Sequence, residues 1–550
     1  MGLSHAATIP EQIDVPMRSD PLPSPSFNLA QAVHRHALSR PDALALSCEQ
    51  RSLSYGELAR QAAGLAGRLR NIPGWSRHGG DAPRVGILAS RSAEACIAVL
   101  GAAWAGATYV PLGPKLPQER LLTILSLCKL SAIVTDEQGA RLLSAPLIDA
   151  APPAIFVLGS APPPQAGTPG VTWLDAAALG ACEAGEPAPF EPTDVAYVIF
   201  TSGTTGVPKG VMIPASAIRH YIETITAHLG LRAGDRALET CELTFDVSLH
   251  NMFTTWEAGA SLHVLPSARA MNAVKFARER ELTVWNSVPS LAGMLRQLKA
   301  LSAGALPRLR LTVFGGEQLT RGTVEAWRLA APGSVIYNLY GPTEATVYCL
   351  AQRVDEPLPL SPGRPVLPLG RPRPGREAAV LDPGGKPVAD GTPGELALAG
   401  VQLARGYLDA PELTGARFVS LHGKRWYLTG DIGIRDPAGN FHCMGRIDNQ
   451  IKLLGHRVEL EEVDAHLRLV AGAAPAAAVP WRVVDGSPQG LVASVGGCHI
   501  QEAPTIEALK ARLPPYMVPG RVIPIETMPI NASGKIDRKA LRQLLENGMA

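Results

Sequence analysis

From about residue 27 the apolar positions recur in two alternating rhythms. Spacings of three and four residues predict helices over 29–37, 55–69, 93–104 and 117–127. Short unbroken apolar runs at 84–88, 109–112, 131–134 and 154–158 predict buried strands between them. A second cycle follows, with strands at 195–201, 237–239, 283–286, 311–314 and 334–338 and helices at 215–228 and after Asp246. Such alternation implies an α/β architecture with mostly parallel sheets. Beyond about residue 375, apolar runs at 378–381, 394–399, 425–429 and 441–446 come without long helices between them, a β-rich segment. The last hundred residues, from about Gln450, carry amphipathic helices at 458–469 and 505–513 and short strands, a small α+β unit. Residues 1–26 hold Pro10, Pro16, Pro21, Pro23 and Pro25 without periodicity, which predicts a loosely ordered lead-in.

Composition narrows the partners. Fifty-one Lys and Arg against 49 Asp and Glu, with 46% hydrophobic and 18% charged residues, excludes a disordered regulator and a polyelectrolyte binder. No basic stripe is present, so nucleic acid is not expected as a partner. The eight cysteines are dispersed with no Cys-x-x-Cys pair, and no charged start leads into an apolar run, which implies a reducing, cytoplasmic setting without structural zinc. Ala6 breaks the myristoylation pattern. The uncharged stretch 95–112 is interrupted by Gly101, Gly106 and Pro111 and reads as a buried helix running into a strand, not as a membrane span.

The sharpest chemical signal is Tyr197-Val-Ile-Phe-Thr-Ser-Gly-Thr-Thr-Gly-Val-Pro-Lys-Gly210, an apolar strand running into a glycine- and hydroxyl-rich loop. Gly203 and Gly206 let backbone N–H groups close on an anion, Thr201, Ser202, Thr204 and Thr205 add hydroxyls, and Lys209 adds charge. With Pro208 before the lysine and Gly210 after it, this is not a Walker loop.

The string resembles the phosphate loop of the adenylate-forming superfamily, which includes acyl-CoA synthetases, firefly-type luciferases and the adenylation domains of nonribosomal peptide synthetases. Further motifs match in order from about residue 27 to 545: Leu53-Ser-Tyr-Gly-Glu57, Asn338-Leu-Tyr-Gly-Pro-Thr-Glu344, Gly394-Glu395, Ala404-Arg-Gly-Tyr407, Tyr427-Leu-Thr-Gly-Asp431, Gly445-Arg-Ile-Asp-Asn-Gln-Ile-Lys452, Gly455-His-Arg-Val-Glu-Leu-Glu-Glu462 and Asn531-Ala-Ser-Gly-Lys-Ile-Asp-Arg538. The resemblance implies a large multi-sheet core of αβαβα-type layers plus the β-rich segment over 27–447, and a small mobile α+β lid over 448–550. It implies ATP, Mg²⁺ and a two-step reaction, in which a carboxylate displaces pyrophosphate and a thiol then takes the acyl group. Glu344 is the implied metal ligand, with Thr343 beside it, and Gly316, Asn338, Tyr340, Gly341 and Asp431 receive the nucleoside. Arg446 braces ribose and phosphate, and Lys535 with Lys209 stabilises the charge that builds in adenylation. Asp448 falls at the implied hinge, and Gly455 where a carrier's thiol arm passes.

In amino-acid-activating members an aspartate at the position of Asp246 pairs with the substrate α-ammonium; the alternative is a helix N-cap ahead of 247–253. The implied pocket is Asp246, Val247, His250, Asn286, Val313, Gly315, Leu339, Val347 and Tyr348, which suits a small or medium polar neutral side chain. Gly113 and Ala215 depart from the pattern, where Asp and His are usual. The absence of carrier and condensation motifs implies a freestanding enzyme that loads the phosphopantetheine of a carrier protein in trans. The rival readings are an acyl- or aryl-CoA ligase and a non-catalytic nucleotide-binding paralogue.

Overall fold

The computed structural model describes residues 27–49, 51–77, 80–159, 170–181, 185–203, 207–472, 474–484, 487–497, 500–531 and 536–549. The expected lead-in, 1–26, lies outside them. Two large sheets carry most of the chain. The nine-stranded one runs Arg371–Pro372, Leu350–Arg353, Val335–Tyr340, Leu311–Gly315, Val284–Ser287, Arg236–Glu239, Ser261–Val264, Leu44–Cys48, Arg51–Ser54. The eight-stranded one runs Gly406–Tyr407, Lys209–Pro214, Val195–Thr201, Thr108–Leu112, Arg84–Leu88, Ala132–Asp136, Ile155–Leu158, Val171–Leu174. Both are parallel in their centres, as the strand and helix alternation requires.

The helix Ala93–Trp104 is alanine-rich and apolar on nearly all sides because both of its faces are covered. Helix Ala93–Trp104, capped by the Ser92 hydroxyl, buries every residue but Glu94 and runs on into strand Thr108–Leu112. This accounts for the uncharged stretch, and among the described residues no helix is long and apolar enough to cross a membrane. Helix Tyr55–Arg70 starts on a reciprocal capping box between Ser54 and Glu57 and packs into the same core. A second core, around Trp285, Phe314 and Trp327, lies on the outer face of the nine-stranded sheet; a third, around Leu121, Ile124 and Ile133, covers the eight-stranded one. The layering is therefore αβαβα, with the β-rich segment following as a five-stranded sheet from Arg376–Leu381 to Phe441–Arg446.

The C-terminal unit has its own core of Leu453, Val458, Val463, Leu467, Leu491 and Val522. It opens with a two-stranded hairpin, Gln450–Leu453 with His456–Glu459, turning on Leu454 and Gly455 at φ 51° and 86°. Two adjacent residues at positive φ are what a two-residue hairpin loop needs to match strand twist. Three expectations are corrected here. The first helix begins at Leu460, because Val458 and Glu459 are spent on the hairpin. The second is Glu502–Lys510, displaced toward the N-terminus, and a third, Arg538–Met549, follows it. The phosphate loop also closes an antiparallel hairpin, since Lys209–Pro214 pairs back on Val195–Thr201.

Candidate functional site

Strands Val284–Ser287, Leu311–Gly315 and Val335–Tyr340 end side by side, with Asn286 paired to Val313 and Gly315 to Leu339. Carboxyl ends of parallel strands are where open α/β sheets receive ligands. A Cβ at Gly315 would stand 2.5 Å from the Tyr348 ring, so Tyr348 fills the space above it. Past Tyr340 the chain folds tightly on itself: a Cβ at Gly341 would lie 2.3 Å from the Val347 carbonyl, and Thr346 and Val347 sit at φ 57° and 64°. β-branched residues there cost of the order of 1–3 kcal/mol each. Gln402 holds the strained turn, its side-chain amide donating at 3.1 Å to the carbonyls of Ala345 and Thr346 while its backbone carbonyl accepts the Thr346 hydroxyl at 2.6 Å.

Asp246 stands at the start of helix Val247–Glu257 but makes no cap hydrogen bond. Its carboxylate interacts with the Thr343 hydroxyl and the Val247 backbone N–H, and its Oδ2 is buried without any partner. Burial pushes this carboxyl up to about 6, with Glu344 adding to the rise and Thr343 and Lys452 opposing it. One turn along, His250 Nδ1 meets the Tyr221 hydroxyl at 2.6 Å, and burial, helped by Arg373, lowers it to about 3, so the ring is neutral. His250 packs edge-on against Tyr348, whose hydroxyl is also buried and unpartnered. Val247, Val313, Leu339 and Val347 supply buried apolar walls.

On the phosphate side Glu344 is fully buried, not a solvated face. Its Oε1 accepts the Tyr407 hydroxyl at 2.9 Å, and Arg457 spans both oxygens at 3.1 and 3.0 Å. Burial alone would raise this carboxyl; the charges of Arg457 and Lys209 override it and hold it at about 2. Lys209, lowered to about 8 by burial, lies 3.6 Å from Glu459. The Ser202 hydroxyl donates to the Arg457 carbonyl at 2.9 Å, and the Gly203 N–H donates to Glu462, which also forms a buried ion pair with Arg120. A Cβ at Gly203 would be 2.1 Å from the Val207 carbonyl, so only glycine fits. The Thr201 hydroxyl is buried and unpartnered.

On the nucleoside side Asp431 takes the Tyr340 hydroxyl on Oδ2 and Arg446 on Oδ1 at 2.7 Å. Arg446 also forks onto both oxygens of Asp448 at 2.6 and 2.8 Å. Lys452 lies 5.7 Å over the Tyr340 ring. The hairpin tip is lodged against the core, its Gly455 N–H donating to Glu317 and its Cβ position 3.0 Å from Val288. His456 stacks on Tyr516 and meets Phe245, the residue before Asp246, edge-on.

The chain thus brings together Thr201, Ser202, Gly203, Lys209, Asp246, Thr343, Glu344, Tyr340, Asp431 and Arg446. Thr204, Thr205, Gly206 and Lys535 lie outside the described residues. The Asn338 amide nitrogen gives one hydrogen at 2.7 Å to the Pro368 carbonyl and keeps its second hydrogen and its oxygen. One expectation changes. The N-cap alternative for Asp246 fails, since its side chain turns to Thr343. Tyr407, Lys452, Arg457, Glu459 and Glu462 had no role assigned from sequence, although each stands inside a quoted motif; for Lys452, Arg457 and Glu459 a charged residue in a strand was the available signal.

The AMP-binding enzyme family matches residues 33–408. Phenyloxazoline synthase MbtB of Mycobacterium sp. (strain MCS) is 34% identical over 525 residues, 94% of this chain and 42% of that protein. Phosphinothricin tripeptide synthetase PhsC of Streptomyces viridochromogenes is 33% identical over 553 residues, 96% of this chain and 46% of that one. The chain therefore spans less than half the length of either relative. Among solved structures, the Vibrio cholerae adenylation domain AlmE in complex with glycyl-adenosine-5'-phosphate aligns with TM-score 0.82 at 30% identity, covering 96% of this chain and 100% of that one. IdnL7 aligns with TM-score 0.69 at 32% identity, covering 95% and 99%. With a matched fold, a matched family span and a phosphate loop facing a buried carboxylate, the chain belongs to the AMP-binding enzyme family, the ATP-dependent adenylate-forming ligases that its motifs resemble.

Proposed function

We propose that this chain activates an amino acid as its aminoacyl-AMP and passes the aminoacyl group to the phosphopantetheine thiol of a carrier protein in trans. The observation that carries the amino-acid reading is Asp246: a buried carboxylate with one oxygen unpartnered is costly unless a cation meets it, and an α-ammonium is such a cation. The glycyl-adenylate complex of AlmE supports the same substrate class.

In the first half-reaction a substrate carboxylate oxygen bonds to the α-phosphorus of ATP as the bond to pyrophosphate breaks. Lys209, Ser202 and the 203–206 backbone hold the phosphates, Tyr340, Asp431, Gly316 and Gly341 seat the nucleoside, and Lys535 neutralises the substrate carboxylate and the bridging oxygen. Glu344 fits Mg²⁺ as one hard, ionised oxygen ligand; with no group of three metal-ligating residues among those described, phosphates and water would complete the shell. The metal would neutralise phosphate charge. In the second half the thiol sulfur bonds to the acyl carbon and AMP leaves. Since Arg457 now occupies Glu344 and Glu459 and Glu462 sit on the phosphate loop, the 448–550 unit withdraws for ATP to bind and turns about Asp448. The six cysteines among the described residues are free thiols, which suits a cytoplasmic enzyme.

The test is ATP–pyrophosphate exchange over the amino acids with the parent and with Asp246→Ala, then loading of a separately prepared phosphopantetheinylated carrier. Exchange should depend on an amino acid and fall about 100-fold or more in the variant, the scale of breaking a buried charge pair. A parent that uses fatty or aryl acids and no amino acid is a CoA ligase; one that binds ATP without exchange is a non-catalytic paralogue.

A further inference from the structure

Beneath the substrate pocket runs a hydrogen-bonded chain that the adenylation chemistry does not use. Glu239 ends strand Arg236–Glu239 and is buried. Its Oε1 accepts the backbone N–H of Cys241 and, at 3.0 Å, the amide nitrogen of Asn251. Asn251, next to His250 on the helix Val247–Glu257, has its own oxygen on the amide nitrogen of Asn286 at 2.6 Å. All three side chains are buried, and the Asn286 Oδ1 is left without a partner. Asn251 and Asn286 border, with His250 and Val313, a closed cavity of about 10 Å³, room for a single water-sized group.

The direction of this chain is set at its far end. A backbone N–H can only donate, so Glu239 Oε1 is an acceptor. Burial raises this carboxyl to about 8 despite the Cys241 and Asn251 hydrogen bonds, which favours its neutral form, and Oε2 has no partner. Asn251 must therefore show its NH₂ to Glu239 and its oxygen to Asn286. Asn286 must in turn show its NH₂ to Asn251, one hydrogen of which is spent there, and its oxygen is left as a buried acceptor without a partner. A free asparagine amide turns over and offers either end; this one cannot.

We propose that Glu239 and Asn251 are positioning residues that lock Asn286 with its oxygen as the acceptor for the substrate's side chain, so that the enzyme selects a small side chain bearing an O–H or N–H donor. The small size follows from Tyr348 filling the space over Gly315. A site with a buried, unpaired acceptor rejects an isosteric apolar side chain because nothing else can satisfy that oxygen. The inference rests on the amino-acid reading above.

Two isosteric pairs test it, serine against 2-aminobutyrate and threonine against valine, by kcat/KM in ATP–pyrophosphate exchange. The parent should favour the hydroxyl member of at least one pair by about 10- to 100-fold, the scale of one unsatisfied buried polar group. Asn251→Ala and Glu239→Leu should cut that preference at least about tenfold through the amino-acid KM, with the KM for ATP unmoved, because only the amide's orientation is released. Glu239→Gln, whose amide oxygen accepts the same two donors, should restore it. A parent that favours the apolar member of both pairs overturns the proposal whatever the variants do, as does an undiminished preference in Asn251→Ala. A parent that activates no amino acid fails the earlier reading instead, and the two failures are distinct.

Discussion

Replacing Arg457 by methionine keeps much of the side-chain volume and removes the charge that clasps Glu344. Left buried and unpaired, a carboxylate in this position would cost about 3–5 kcal/mol. The pair joins the C-terminal hairpin to the core, so the chain has a cheaper response: the hairpin leaves and water reaches Glu344. The docked arrangement should lose about 3 kcal/mol relative to the open one, roughly 100-fold in their ratio. Lys209 still acts on Glu344 but is shared with Glu459, and Arg120 is spent on Glu462, so the lost charge is only partly replaced. On the proposed function, with ATP binding at a freed Glu344 and carrier loading using the docked hairpin that touches Val288 and Glu317, pyrophosphate exchange should hold or rise in Arg457→Met and carrier loading should fall by about 100-fold. The assay is exchange and radiolabelled carrier loading on one preparation, with the unfolding midpoint as a control. Exchange and loading falling in the same proportion would refute the reasoning, and so would loading at the parent rate.

Asp246 is ionised above about pH 6 and neutral below it, and only the ionised form pairs with an ammonium; kcat/KM for the amino acid should therefore drop by about tenfold per pH unit below 6, while the KM for ATP stays nearly flat. A profile that is level down to pH 5 would contradict this role. Gly315→Ala puts a methyl 2.5 Å from the buried Tyr348 ring and should raise the amino-acid KM by about tenfold or more, leaving ATP binding intact; equal effects on both substrates would place Tyr348 outside the pocket. In helix Tyr55–Arg70, Gly64→Ala should lower stability by about 1–3 kcal/mol in denaturant unfolding, because the new Cβ would lie 1.8 Å from the Leu179 carbonyl, although alanine is the better helix former; a stabilised variant would show that this helix pair can part.

Some of this molecule is written locally and some is not. Strands such as Arg84–Leu88 and Val195–Thr201 and the helix Ala93–Trp104 were legible because periodicity and caps are properties of neighbours in the chain. The phosphate loop was legible because it is one short run whose residue types make sense together, while Asp246 and the Asn338–Glu344 turn were singled out only through the family resemblance of their motifs. The strand Lys209–Pro214 escaped, since its pairing partner lies across a loop that reads as coil. What Glu344 does now was also beyond the sequence: its clasp comes from Arg457, 113 residues away. The neutral state of Glu239 and the locked amide of Asn286 depend on burial and on three segments meeting, Arg236–Glu239, Val247–Glu257 and Val284–Ser287. A side chain's type can be read from one position, but its charge, its hydrogen-bonding sense and its occupancy are set by groups that only folding brings within a few ångströms.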